Sequence, residues 1–181
     1  SVRIETRPTT FKRFLANREY AVFGKDGTLL AEAKSVWAFT DMKRKRPVRV
    51  PDEICGRFGV PRESEEAFDP LEDIPGISRG AHTLAIKAGA PDLDNNGHVN
   101  NVRYVEWALW SLPPDFVLGH AVSRAQVHYR KELQSGEEAV LVSDVAERGG
   151  RLFSDHSVRA ADREICDLRI EWTGRINGRT E

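Results

Sequence analysis

Between Asp92 and Asn101 the chain reads Asp-Leu-Asp-Asn-Asn-Gly-His-Val-Asn-Asn, two carboxylates, four amides and one imidazole around a glycine. An apolar, aromatic-rich run follows at once through Val102, Tyr104, Val105, Trp107, Ala108, Leu109 and Trp110. Asp94, Asn96 and His98 alternate, and alternate residues of an extended loop point the same way. The apolar spacing predicts a helix over about Val99 to Leu112. Its first N–H groups have no partner inside the helix, and together with the helix dipole they favour negative charge. An oxyanion formed on an attacked carbonyl is such a charge. Asn96 can hold a carbonyl or a water, and His98 can donate a hydrogen bond or a proton. A plain helix cap would need one Asn or Asp, not a histidine and four amides. Asn100 and Asn101 taken singly read equally well as braces of the loop, and Asp92 as a turn residue.

The elements around this segment form a pattern. Ser1 to Arg7 is a short strand candidate ahead of Pro8. Two long strand-like runs, Thr10 to Phe23 and Thr28 to Asp41, flank the turn signal Gly24-Lys25-Asp26-Gly27. Lys43 to Gly80 holds five prolines (Pro47, Pro51, Pro61, Pro70, Pro75) and the acidic group Glu63, Glu65, Glu66 and Asp69. It reads as a connector with one short helix near Asp52 to Phe58. His82 to Ala88 is a strand, and Pro113-Pro114 stops the long helix. Four strands close the chain over about Ala121 to Glu132, Glu138 to Arg148, Leu152 to Ala160 and Glu164 to Thr173. One long helix followed by antiparallel strands predicts an α+β fold, a sheet wrapped around a helix.

A weak internal repeat accompanies this pattern. Asp26 precedes Trp37 by eleven residues and Asp162 precedes Trp172 by ten, each in a hairpin closing on tryptophan. Superposed, Ser1 falls opposite about Gly136, and the second unit carries about 55 further residues, its helix among them, for which the first has no counterpart. The expectation is that the chain starts partway through the first of two similar units, whose sheet lacks its own central helix.

Composition narrows the function classes. The 181 residues are 40% apolar and 30% charged with a net charge of −1, so no global field favours nucleic acid or a membrane surface. No apolar run reaches the roughly 18–20 residues of a membrane span. Ser1 to Thr6 does not read as a signal peptide, and Cys55 and Cys166 lack metal-ligand spacing, so reduced thiols in a cytoplasmic protein are expected. No metal and no cofactor is called for.

Asp94-x-Asn96-x-His98-Val99-Asn100-Asn101-x-x-Tyr104, followed by Trp107, resembles the signature of acyl-acyl carrier protein thioesterases, double hot-dog proteins of plant plastids and bacteria. Thr6-Arg7-Pro8, Arg18-Glu19-Tyr20, Ala33-Lys34-Ser35-Val36-Trp37 and Arg46-Pro47-Val48 resemble the end of the family's first hot-dog domain and its linker. The resemblance implies residues 1–50 as the C-terminal part of a first hot-dog unit, 51–80 as linker and 81–175 as a second unit that carries the site. It implies hydrolysis of the thioester of acyl-acyl carrier protein, releasing a fatty acid and ending fatty acid synthesis. The implied partner is a carrier protein with a phosphopantetheine-linked acyl chain.

In that family a glutamate on the strand after the helix completes the site, and Tyr129-Arg130-Lys131-Glu132 matches it, so Asp94, Asn96, His98 and Glu132 are the implied catalytic set. Asn100, Asn101 and Trp107 are the implied substrate contacts. Plant members carry a cysteine after this glutamate; here Leu133 stands there, which favours attack by water. By chemistry alone Glu132 reads either as the base that takes water's proton or as a solvated carboxylate beside Lys131.

Other readings stay open. An acyl-CoA thioesterase or a non-catalytic acyl-binding module would share the fold. The basic run Lys43-Arg44-Lys45-Arg46, with Arg49, fits either an acidic carrier protein or plain solvent. Exposed sheet edges leave homodimerisation open.

Overall fold

The computed structural model describes residues 1–44, 46–60 and 69–174. Lys45, Pro61 and the acidic Glu63, Glu65 and Glu66 lie outside the described residues, whereas Lys43, Arg44 and Arg46 are exposed. The chain divides into two compact units, Ser1–Glu72 and Asp73–Glu181.

The first unit is a three-stranded antiparallel meander of β1 (Arg3–Lys12), β2 (Leu15–Phe23) and β3 (Leu29–Ala38). Gly24 to Gly27 turns between β2 and β3 as its residues predict, with Gly27 at φ +85°. Two expectations change. The run from Thr10 to Phe23 is not one strand, because the chain reverses at Arg13-Phe14 with Arg13 at φ 53°. Pro8 does not end a strand either: β1 runs through it, with a bulge between Pro8 and Thr10. An edge strand tolerates the missing N–H there. A short pair, β4 (Thr40–Asp41) with β5 (Arg46–Pro47), leads to helix α1 (Asp52–Phe58), ended by Gly59 in the left-handed conformation at φ 62°. Residues 51–60 are more than a connector: Cys55 is buried with Phe11 and Val50, and Ile54 and Val60 pack against them. Among the described residues α1 is this unit's only helix, and Trp37 on β3 is 53% exposed.

The second unit is a five-stranded antiparallel sheet wrapped on one long helix, the hot-dog arrangement. Strands β6 (His82–Lys87), β7 (His120–Tyr129), β8 (Glu138–Arg148), β9 (Arg151–Ala160) and β10 (Arg163–Gly174) lie in the order β6-β8-β9-β10-β7. Helix α2 (Asn101–Trp110) buries Tyr104, Trp107 and Ala108, spaced three and four apart on one face. They meet Ile86, Leu141, Val158 and Leu168 of the sheet. Each large apolar side chain so buried contributes about 1.5–3 kcal/mol. Pro113-Pro114 does not simply stop the helix. Pro114 opens a further short helix, α3 (Pro114–Gly119), where its fixed φ suits the first helical position.

A polar chain crosses this core. Ser111 Oγ, at the end of α2, meets Ser143 Oγ at 2.6 Å, and Ser143 meets His156 Nδ1 at 2.7 Å. His156 Nε2 and Trp172 Nε1 both reach Ser154 Oγ at 2.8 Å. Burial pushes the His156 imidazole down to about 4, so it stays neutral at ordinary pH. Trp172, the repeat partner of Trp37, is 4% exposed and packs with Leu112 and Phe116.

Candidate functional site

The decapeptide is a tight loop rather than an extended one. Leu93 and Val99 form an antiparallel bridge, Asp94 N–H donates to the His98 carbonyl at 2.8 Å, and Gly97 takes φ +80° at the tip. A side chain there would strain the turn. The turn, and not strand-like alternation, brings Asp94, Asn96 and His98 together. Asp94 Oδ1 accepts the backbone N–H groups of Asn96 at 2.8 Å and His98 at 3.1 Å, and Asp94 Oδ2 accepts the Asn96 amide at 3.4 Å. These bonds, the Asn96 N–H foremost, hold the Asp94 carboxyl below its usual range. Asp94 is thus a brace with its oxygens engaged by the loop.

His98 leaves this loop towards a second one. Its Nε2 lies 3.2 Å from Glu132 Oε2, with the two side chains 31% and 68% exposed. Glu132 is not on a strand: β7 ends at Tyr129, and Glu132 lies in the connection to β8. Backbone bonds fasten that connection to the decapeptide. Val99 N–H donates to the Leu133 carbonyl at 2.9 Å, and His98 and Gln134 form an antiparallel bridge. The Leu133 side chain is 0% exposed.

The helix start differs from expectation as well. Asn100 is the N-cap of α2, its Oδ1 accepting the Val102 N–H at 3.1 Å, so that amide is already engaged. Asn101 is exposed and receives the Tyr129 hydroxyl on its backbone carbonyl at 3.1 Å. Trp107 is 4% exposed and packs edge-on against Tyr104, with ring centroids 5.4 Å apart. The three implied substrate contacts are therefore a cap, a helix start and a core residue. Burial pushes the Tyr104 and Tyr129 hydroxyls up to about 12, so both remain protonated.

Several supporting residues carry no sequence signal. Arg103 Nε pairs with Asp92 Oδ1 at 3.1 Å, its Nη2 donates to the Pro91 carbonyl at 3.0 Å, and it also pairs with Glu106. Arg163 and Glu137 do the same for the Glu132 connection. Both cysteines are buried, and burial pushes the Cys166 thiol far up, away from thiolate chemistry. Among the described residues no group of His, Cys, Asp and Glu is placed to hold a metal ion, and no helix is long and apolar enough to cross a membrane.

The family model of the acyl-ACP thioesterase N-terminal domain matches residues 1–58, and that of the acyl-ACP thioesterase C-terminal domain matches residues 79–174. A chloroplastic palmitoyl-acyl carrier protein thioesterase of Cuphea hookeriana is 34% identical over 167 residues, 84% of this chain and 39% of the relative. The chloroplastic oleoyl-acyl carrier protein thioesterase 2 of Arabidopsis thaliana is 32% identical over 148 residues, 75% of this chain and 40% of the relative. The chain thus spans about two fifths of the length of these curated relatives. Among solved structures, the 12:0-ACP thioesterase of Umbellularia californica superposes with a TM-score of 0.79 at 22% identity, covering 96% of this chain and 66% of that one. An acyl-ACP thioesterase of Bacteroides thetaiotaomicron gives 0.76 at 21% identity, covering 95% and 68%. By the sequence matches to both of its halves, this chain belongs to the acyl-ACP thioesterase family.

Proposed function

We propose that this chain carries the hydrolytic site of an acyl-acyl carrier protein thioesterase, which frees a fatty acid and the carrier's thiol. The observation that carries the reading is the contact between His98 and Glu132, 3.2 Å apart, contributed by two separate connections of a hot-dog unit. Glu132 takes a proton from a water, and the water's oxygen bonds to the thioester carbonyl carbon. The His98 N–H orients the carboxylate and stabilises its charge. Asn96, exposed at the loop tip, holds the carbonyl oxygen or the water, and Asp94 fixes the geometry of both. Collapse of the tetrahedral intermediate breaks the C–S bond, and the sulfur leaves with a proton. Leu133 and the buried cysteines support water over a cysteine acyl-enzyme. The same reading takes residues 1–50 as part of a first hot-dog unit and a cytoplasmic location for the protein.

The test is release of fatty acid from palmitoyl- and oleoyl-carrier protein, with the same chains on CoA alongside. The expected result is turnover on carrier protein that Glu132→Gln lowers by about a hundred- to ten-thousandfold. Faster turnover on CoA would make the chain an acyl-CoA thioesterase. Saturable acyl binding without turnover would make it a binding module.

A further inference from the structure

The connection that carries Glu132 is clamped from outside the catalytic set. Arg163, the first residue of β10, aims one limb of its guanidinium at the Glu132 carbonyl, with Nη1 donating at 3.3 Å. Its other limb pairs with Glu137 Oε1. The second oxygen of Glu137 accepts the Gln134 N–H at 2.8 Å. One ion pair therefore grips the connection on both sides of Leu133. Both side chains are about one third exposed, at 32% and 34%. An ion pair so placed contributes little to stability, yet its hydrogen bonds fall on the backbone that aims one carboxylate.

We propose that Arg163 and Glu137 are positioning residues for Glu132: their ion pair fixes the backbone on both sides of Leu133 and so holds the Glu132 carboxylate at His98. The proposal rests on the hydrolase reading above. It follows from the fork of arginine, which serves the Glu132 carbonyl and the Glu137 carboxylate at once, whereas a lysine ammonium is a single point on a flexible stem. A carboxylate released to wander by about 1 Å loses on the order of a hundredfold in rate.

The experiment compares Arg163→Gln, Arg163→Lys and Glu137→Gln with Glu132→Gln in the full chain, using palmitoyl-carrier protein. Arg163→Gln is expected to lower kcat by about ten- to a hundredfold with KM nearly unchanged. Arg163→Lys should recover part of that loss. In the Glu132→Gln background, Arg163→Gln should cost nothing further, because it acts through the group already removed. The clamp is refuted, with the site intact, if Glu132→Gln is strongly impaired but Arg163→Gln keeps normal kcat, or if the Arg163→Gln loss is undiminished on the residual turnover of the Glu132→Gln background. Normal turnover in Glu132→Gln overturns the hydrolase reading of the site and the clamp with it. Thermal unfolding of each variant separates aim from folding; should Arg163→Gln lose its transition, Arg163→Lys and Glu137→Gln carry the comparison.

Discussion

Glu132 and Leu133 are adjacent in the chain and opposite in exposure: the carboxylate stands two-thirds exposed beside His98, and the leucine is wholly buried. A residue at 133 therefore points into the core, away from any thioester held between His98 and Glu132. Leu133→Cys is expected to leave water as the nucleophile, because a thiol buried there has its pKa raised. It should also cost about 1–3 kcal/mol through lost core volume. Mass spectrometry of the variant during turnover checks this, and an acyl group on the new thiol would overturn it.

Asp94 and Asn96 separate brace from base. Asp94→Asn keeps an oxygen able to accept the two backbone N–H groups, so it should retain most turnover. Asp94→Ala leaves the Asn96 and His98 N–H groups without that acceptor, at about 1–2 kcal/mol, and should lose turnover with the loop geometry. Equal inactivity of the two variants would instead give Asp94 a chemical role.

On the proposed hydrolytic reading both halves of the pair take part in proton transfer. Glu132→Ala and His98→Ala should each lower hydrolysis of oleoyl-carrier protein by about a hundred- to ten-thousandfold. Their thermal midpoints should stay near that of the parent, because both side chains lie outside the packed core. Near-normal turnover in either variant would remove that residue from the site.

His156 makes the fold sensitive to acid. It is held neutral at about 4 in the folded chain, against about 6.5 in an unfolded one. Between those values only the unfolded chain takes up the proton. Stability is therefore full above pH 6.5 and falls as pH drops towards 4, by about 3 kcal/mol at most. Thermal midpoints across this window should decline in the parent and decline less in His156→Leu. Parallel slopes would count against His156 as the acid-sensitive group.

Which features were legible follows from what each depends on. Helix α2 was readable because Tyr104, Trp107 and Ala108 repeat on one face, but its start was set two residues early because Asn100 was not read as the cap. The β8 limits, Glu138 to Arg148, match expectation because Gly136 and Gly149-Gly150 bracket the strand. The reversal at Arg13-Phe14 was not readable, since neither residue is a turn former. The loop around Gly97 was misread as extended although its glycine marked a turn. Glu132 became a candidate only through the family resemblance; as a carboxylate beside Lys131 it looks like any surface residue. Its clamp was invisible because Arg163 and Glu137 lie 26 positions apart, and no local pattern pairs them.

The order β6-β8-β9-β10-β7 sends the connection that leaves β7 back across the sheet to β8, the neighbour of β6, so that it passes the loop that leaves β6. In a flat sheet that crossing would span three inter-strand spacings, about 14 Å. The Glu132 connection is thus a strap over the curled sheet, and where it crosses the first loop the Val99 N–H bond to the Leu133 carbonyl and the His98–Gln134 bridge set the spacing of His98 and Glu132. Substitutions that loosen this crossing should then disturb the site more than substitutions within β9.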